Sequence, residues 1–258
     1  MNYLKLGFLF FGLLLFGLVV RDLDLLDVAR QVAQVGAPGI LAMVLLYAVT
    51  FGADVAGWQL TLSNVPLDLR WLGRLYGVRM IGEAFNNVTP FAAMGGEPVK
   101  AYILKTHYGI GYRDSGVSLI LAKTVILLAL VLFLTIGFWM LAPADGLHAS
   151  HKTIAWIGYA GLGLGIVLFY LIQRFRAASW LGRFLGGSGL ALRLSNILSV
   201  IHEVDDRLAR FYTEQRERFA GAFLLALANW LLGVAEVYLV MWLLGHPISF
   251  TDAWIIES

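Results

Sequence analysis

The sequence predicts an all-α, polytopic helical membrane protein with a broken, re-entrant helix hairpin. Three observations predict it: apolar runs of membrane-spanning length, too little charge for a water-facing surface, and one apolar stretch interrupted by Asn, Pro and Gly. Of the 258 residues, 59% are hydrophobic and only 14% charged, whereas a soluble domain carries about a quarter charged residues. The formal charge of +2 gives no support to nucleic-acid binding. The absence of cysteine removes disulfides, thiolate metal sites and cysteine nucleophiles together.

The elements follow in chain order. An apolar run at residues 3–20 ends in Arg21-Asp22-Leu23-Asp24 without a small-x-small cleavage pattern, so it reads as a retained first span. Residues 36–62, 115–141, 153–172 and 219–244 read as four further complete spans of about 20 residues or more. Residues 72–104 are apolar but interrupted by Asn86, Asn87, Pro90, Gly95, Gly96 and Pro98. Residues 173–218 form a polar section. Within it Leu190, Leu194, Ile197, Ile201, Val204, Leu208 and Phe211 recur every three or four residues. That period predicts an amphipathic helix, lying on the membrane surface or against another helix.

Basic residues orient the chain. With a cytoplasmic N-terminus and a 72–104 stretch that enters and leaves by one face, the cytoplasmic side holds nearly all of the 19 Lys and Arg. Arg21, Arg30 and Lys152 fall outside, and Lys123 lies within a span. A single crossing by 72–104 would instead move the eight arginines between Arg174 and Arg218 to the outer face. The charge rule therefore predicts a hairpin.

Irregular backbone at membrane depth must be buried in protein or line a cavity, because lipid satisfies no N–H or C=O group. Before the break, Arg79, Glu83 and Asn87 fall at i, i+4 and i+8, on one helical face. Pro90 disfavours helix at Thr89. Gly95-Gly96 permit a turn, and Pro98 suits the first position of a second half-helix. The N-terminus of that half-helix would present unpaired N–H groups and a positive dipole end to an anion, with Lys100 one turn on. Discontinuous helices of this kind build transporter substrate sites. The candidate headgroup site is thus Arg79, Glu83, Asn87, Pro90, Gly95, Gly96, Glu97 and Lys100. A plainer alternative has Glu97 capping the helix and pairing with Arg79 or Lys100, with Gly-Gly serving close packing. Asp54 and Lys123 lie at equal depth, about 12 Å in from the cytoplasmic ends of their spans, and are expected to form a structural ion pair. Asn229 reads as an interhelical hydrogen-bonder, and Glu236 as a cavity-lining or outer-interface group.

The stretch Gly82-Glu83-Ala84-Phe85-Asn86-Asn87-Val88-Thr89-Pro90, followed by Gly95-Gly96-Glu97-Pro98-Val99-Lys100, resembles the transmembrane region of lysylphosphatidylglycerol synthases. That region defines a wider flippase-like membrane family. The span pattern resembles it over essentially the whole chain. The resemblance implies binding of a membrane lipid, with an anionic headgroup, and its movement between leaflets. The alternative is the membrane part of a lipid-modifying enzyme system (aminoacyl-phospholipid, glycolipid or hopanoid). Family members continue into further spans, so the resemblance also implies a single membrane domain over 1–258 that is C-terminally truncated. Expected partners are the lipid and either a second copy of the chain or a separate biosynthetic enzyme.

Other signals point away from enzymatic chemistry. No Gly-x4-Gly-Lys-Ser/Thr occurs, so the sequence gives no support to ATP-driven pumping. Gly186-Gly187-Ser188-Gly189 is a connector and not a nucleophile elbow. His148 and His151 lack a nearby third ligand, so no metal is expected. No cofactor and no catalytic residue is expected. The topology makes a direct prediction in this cysteine-free chain. Single cysteines at Leu75 and Gly109 should be shielded from an impermeant external thiol reagent, while one at His148 is labelled. Labelling of position 109 from outside would mean a single crossing and no hairpin.

Overall fold

The computed structural model describes residues 12, 17, 21, 25–88, 95–141, 149–174, 206, 207 and 209–258. Its elements are α1 (Leu25–Thr61), α2 (Leu69–Val88), α3 (Gly96–Tyr108), α4 (Tyr112–Leu141), α5 (Ala149–Arg174), α6 (Arg216–Leu243) and α7 (Phe250–Glu257). The described chain is helical, and no strand occurs among the described residues. Among the described residues three helices are long and apolar enough to cross a membrane: Asp27–Thr61, Tyr112–Met140 and Arg216–Leu243. Most of the expected first span at 3–20, together with Pro90, His148 and the 186–189 connector, lies outside the described residues, as does most of the 173–218 section.

The expected spans at 115–141 and 153–172 fall within α4 and α5, and that at 219–244 coincides with α6 to within its C-cap, Leu244. α1 differs more, beginning eleven residues before Gly36. Gly36 breaks it with φ 64° and ψ 173°, a conformation open essentially to glycine alone, and Pro38 follows. Local chemistry sets the other ends. Asp68 caps α2, its Oδ1 accepting from Trp71 N–H at 2.7 Å. Gly109, at φ 71°, closes α3 in the left-handed conformation, and Ile110 N–H returns to Leu104 O at 3.0 Å. Ser249 and Asp252 cap α7 reciprocally.

α1 and α6 form the most extensive helix pair and run antiparallel. Gly39 faces Leu243, Thr50 bonds Glu236, and Gly221 faces Leu60. Small residues let these backbones approach where the hydrophobic effect does not drive association. Farther along α4 and α6 the rings of Trp230, Phe133 and Trp254 stack, with centroids 5.5 and 4.8 Å apart. Trp254 donates its indole N–H to Phe133 O at 3.3 Å.

α2 and α3 also lie antiparallel. Trp71 meets Tyr108 at one end, with ring centroids 5.4 Å apart, and Gly82 meets Gly96 toward the other. The pair begins and ends at the same end of the bundle. There Thr61 bonds Ser118 O at 3.0 Å and Arg218 bonds Leu62 O at 3.0 Å. At 13 residues, α3 is about 20 Å long, short of the roughly 30 Å hydrocarbon core. At the described end of the amphipathic section, Phe211 and Tyr212 are buried in a core with Val117, Leu121 and Ala222. Here its apolar face is covered by other helices.

Leu75 is wholly buried against Val55 and Leu104. A cysteine there would be shielded under any topology, so Gly109 and His148 carry the labelling test. A Cβ on Gly96 would strike the Gly82 carbonyl, approaching its carbon to 2.7 Å, whereas one on Gly73 would meet nothing within 4 Å. Gly96→Ala should therefore lower the thermal unfolding midpoint of the detergent-purified chain by several degrees, and Gly73→Ala should leave it nearly unchanged. Equal midpoints for the two variants would refute this account of α2–α3 packing.

Candidate functional site

The Gly82–Gly96 approach organises a cluster of charged side chains. Without side chains at these positions, the α3 backbone lies directly on α2. Lys100 then runs across Gly82, so closely that a Cβ on Gly82 would come within 2.7 Å of Lys100 Cγ. Gly95 itself has ordinary helical angles, φ −68° and ψ −27°. Neither Gly95 nor Gly96 takes a left-handed conformation. Gly96 is needed for the close approach.

The first free N–H of α3 is already taken: Gly96 N–H donates to Asn86 Oδ1 at 2.7 Å. Asn86 is anchored in turn by its amide, which donates to Glu83 Oε2 at 3.4 Å. Pro98 is the third residue of the helix and not the first, and it has no N–H to offer. The dipole end is thus largely satisfied from within the protein. Its anion-binding capacity is smaller than the sequence alone implies. The neighbouring residue expected here, Asn87, is exposed, while Asn86 is buried. A 100° step per residue separates the two, and it is Asn86 that faces the start of α3.

The charges pair differently from the sequence expectation as well. Asp54 and Lys123 do not form an ion pair with each other. Asp54 on α1 pairs with Arg79 on α2, and Arg79 also stands 6.0 Å from the Phe51 ring centroid. Lys123 on α4 turns to Glu97 instead, with Nζ 3.6 Å from Oε1. The reason is the course of α2: it brings a guanidinium to Asp54, leaving Lys123 for the carboxylate on α3. Lys100 is wholly buried and donates to the other Glu97 oxygen, Oε2, at 2.8 Å. Glu97 is therefore shared by two lysines. The plainer alternative, Glu97 with Lys100 and glycines for packing, describes this geometry correctly as far as it goes.

Exposure separates these groups. The side chains of Asp54 and Arg79 are 10% and 14% exposed, Glu97 is 20% exposed, and Lys123 is 54% exposed. Arg79 Nε and Glu97 Oε1 are buried atoms with no hydrogen-bond partner. A void of about 10 Å³ beside Asp54, between α1, α4 and α6, has room on the scale of one water. In all, Asp54, Glu83 and Glu97 lie near Arg79, Lys100 and Lys123, three acidic and three basic groups. Farther along α6, Glu236 accepts a hydrogen bond from Thr50 at 2.8 Å and lines an apolar groove with Met43 and Tyr47. Asn229 Oδ1, expected to bond between helices, is buried without a partner. Sequence reasoning missed Asn86, although its neighbour Asn87 was chosen, and it missed that Lys123 belongs to the cluster.

Comparison with known proteins follows this geometry. The family model described as Lysylphosphatidylglycerol synthase TM region matches residues 4–256. Two proteins of Methanothermobacter thermautotrophicus, each described as a UPF0104 membrane protein, are similar to the chain. One is 23% identical over 227 residues, covering 81% of this chain and 64% of its own length. The other is 30% identical over 203 residues, covering 73% of this chain and 56% of its own. The chain thus spans less than two thirds of the length of either relative. No solved structure matches it.

The Asp54–Arg79 pair yields a stability prediction. Removing one member of a buried pair strands the other charge at a cost of about 3–5 kcal/mol, while replacing both by apolar groups is close to neutral. Asp54→Leu and Arg79→Met should each lower the unfolding midpoint of the purified chain, and the double variant should recover most of the loss. Additive losses in the double variant would show that the two side chains act independently.

Proposed function

The chain belongs to the lysylphosphatidylglycerol synthase TM region family, and from that premise we propose that it binds a membrane lipid by its headgroup and moves it between leaflets. One observation carries this reading: Asp54, Arg79, Glu97, Lys100 and Lys123 meet in charge pairs where α2 and α3 pack against α1 and α4, two helices long and apolar enough to span a bilayer. Ionisable groups at such depth are costly, face protein or water-filled space, and mark substrate pathways by default. Lys123, half-exposed, supplies the cation for a headgroup phosphate, and Lys100, wholly buried, stays on Glu97. Asp54–Arg79 holds α1 to α2 and fixes the wall behind them.

In this reading α2 and α3 are a re-entrant hairpin that enters from the cytoplasm and returns to it. Its support is the shared end of the two helices, the shortness of α3, and the arginines and lysines clustered near that end. Arg70, Arg74, Lys105, Arg113 and Arg218 all lie there. The chain then sits in the cell membrane with its N-terminus in the cytoplasm. The family description favours a second reading, in which the chain is the membrane part of a lipid-modifying system and a partner supplies the chemistry.

Translocation is measured with the purified chain in liposomes carrying a headgroup-labelled fluorescent phospholipid, bleached from outside by dithionite. Protein-free liposomes lose about half the signal, because dithionite reaches one leaflet only. With the chain present the loss should go nearly to completion, and Lys123→Gln should slow it. Loss that stops at half with the unmodified chain, even though lipid copurifies, would reject translocation and leave the second reading.

A further inference from the structure

Resting on the lipid reading above, we infer that the Glu97–Lys123 contact is the place where a headgroup docks, and that the headgroup it fits is zwitterionic, a phosphate bearing a primary ammonium. Within the cluster this contact is the one made to be opened. Asp54–Arg79 and Glu97–Lys100 are close pairs between largely buried groups. Glu97 Oε1 and Lys123 Nζ, by contrast, stand 3.6 Å apart, beyond good hydrogen-bond distance, and Lys123 is 54% exposed. Glu97 Oε1 has no hydrogen-bond donor, although the atom is buried. An unsatisfied buried carboxylate oxygen is itself a demand for an N–H or O–H group.

Charge decides which headgroup meets that demand. With Asp54, Glu83 and Glu97 against Arg79, Lys100 and Lys123, the cluster is balanced. A headgroup of net negative charge would place a phosphate against Glu97 with no unmatched cation to offset it, in surroundings where such an excess is costly. A zwitterion changes nothing in the total. Its phosphate takes Lys123, its ammonium donates to Glu97 Oε1, and one loose contact becomes two charge-assisted hydrogen bonds. Glu97 keeps Lys100 through Oε2 throughout, so the buried lysine is never stranded. A glycerol headgroup also carries hydroxyl donors for Oε1, but it brings the net charge with it. The anionic headgroup implied by the family resemblance is therefore not the one that this charge balance favours.

The test titrates the purified full chain in detergent with phosphatidylethanolamine and, separately, with phosphatidylglycerol of the same acyl chains, counting bound lipid by native mass spectrometry. Phosphatidylethanolamine should bind about tenfold more tightly, and Lys123→Gln should remove about tenfold of that affinity while leaving the unfolding midpoint unchanged. Lys123→Arg should retain it. Equal or tighter binding of phosphatidylglycerol would overturn the zwitterion assignment and leave lipid binding standing. Unchanged phosphatidylethanolamine affinity in Lys123→Gln would overturn the docking position. Absence of binding by either lipid would reject the lipid reading itself, and this inference with it. Displacement by water-soluble glycerophosphoethanolamine would uphold the headgroup chemistry and assign its source to water instead of the bilayer.

Discussion

Two glycines, Gly82 and Gly96, bring the α2 and α3 backbones into direct contact, and the charged cluster is a consequence of that contact. Any side chain at Gly96 would push α3 off the Gly82 carbonyl. Asn86 would then lose Gly96 N–H, and Lys100 would lose the path that takes it across Gly82 to Glu97. α3 is short, has no side-chain cap from Gly95, and carries Pro98 in its first turn, so it draws its start from α2. In water an uncapped helix end is solvated. Here one of its N–H groups is met by protein, through Asn86.

Once α2 and α3 are joined, neutralisation of charge fixes the remaining geometry. Each charged group in the cluster has an opposite charge nearby, but the pairs differ in tightness. The most buried ones, Asp54–Arg79 and Glu97–Lys100, hold helices in register. The least buried, Lys123, touches its carboxylate only loosely. A rigid scaffold needs no such gradient. A buried pair confers little stability beyond an apolar replacement, so retention of six ionisable groups in an apolar bundle asks for a reason other than strength.

Much of this was legible in the sequence, and what was missed has a physical cause. Run length and charge content determine the helices, because a bilayer admits few alternatives. Asn, Pro and Gly within 72–104 mark the break for the same reason. Depth counting compares Asp54 and Lys123 along their own helices only, and it says nothing about rotation or about which other charges come near them. Arg79 pairs with Asp54. Likewise the i, i+4 pattern on α2 found the right turn of helix and chose Asn87, because which of two adjacent asparagines faces α3 depends on how α3 lies across Gly82. Pairing across helices is a property of packing, and a single sequence carries it weakly.

The position of Glu97 links the packing to the proposed activity. A carboxylate held by a buried lysine on one oxygen and half-engaged by an exposed lysine on the other can change partners without losing neutrality. If Lys123 is drawn away by a phosphate, Lys100 still holds Glu97, and the buried part of the cluster is undisturbed. If both lysines were equally buried, admitting a headgroup would require breaking a sequestered pair, at several kcal/mol for each stranded charge. If both were exposed, water would screen them and little selectivity would remain. The asymmetry between Lys100 and Lys123, set by how α3 crosses α2 and by where α4 passes, is what a site must have to bind a charged headgroup reversibly at membrane depth.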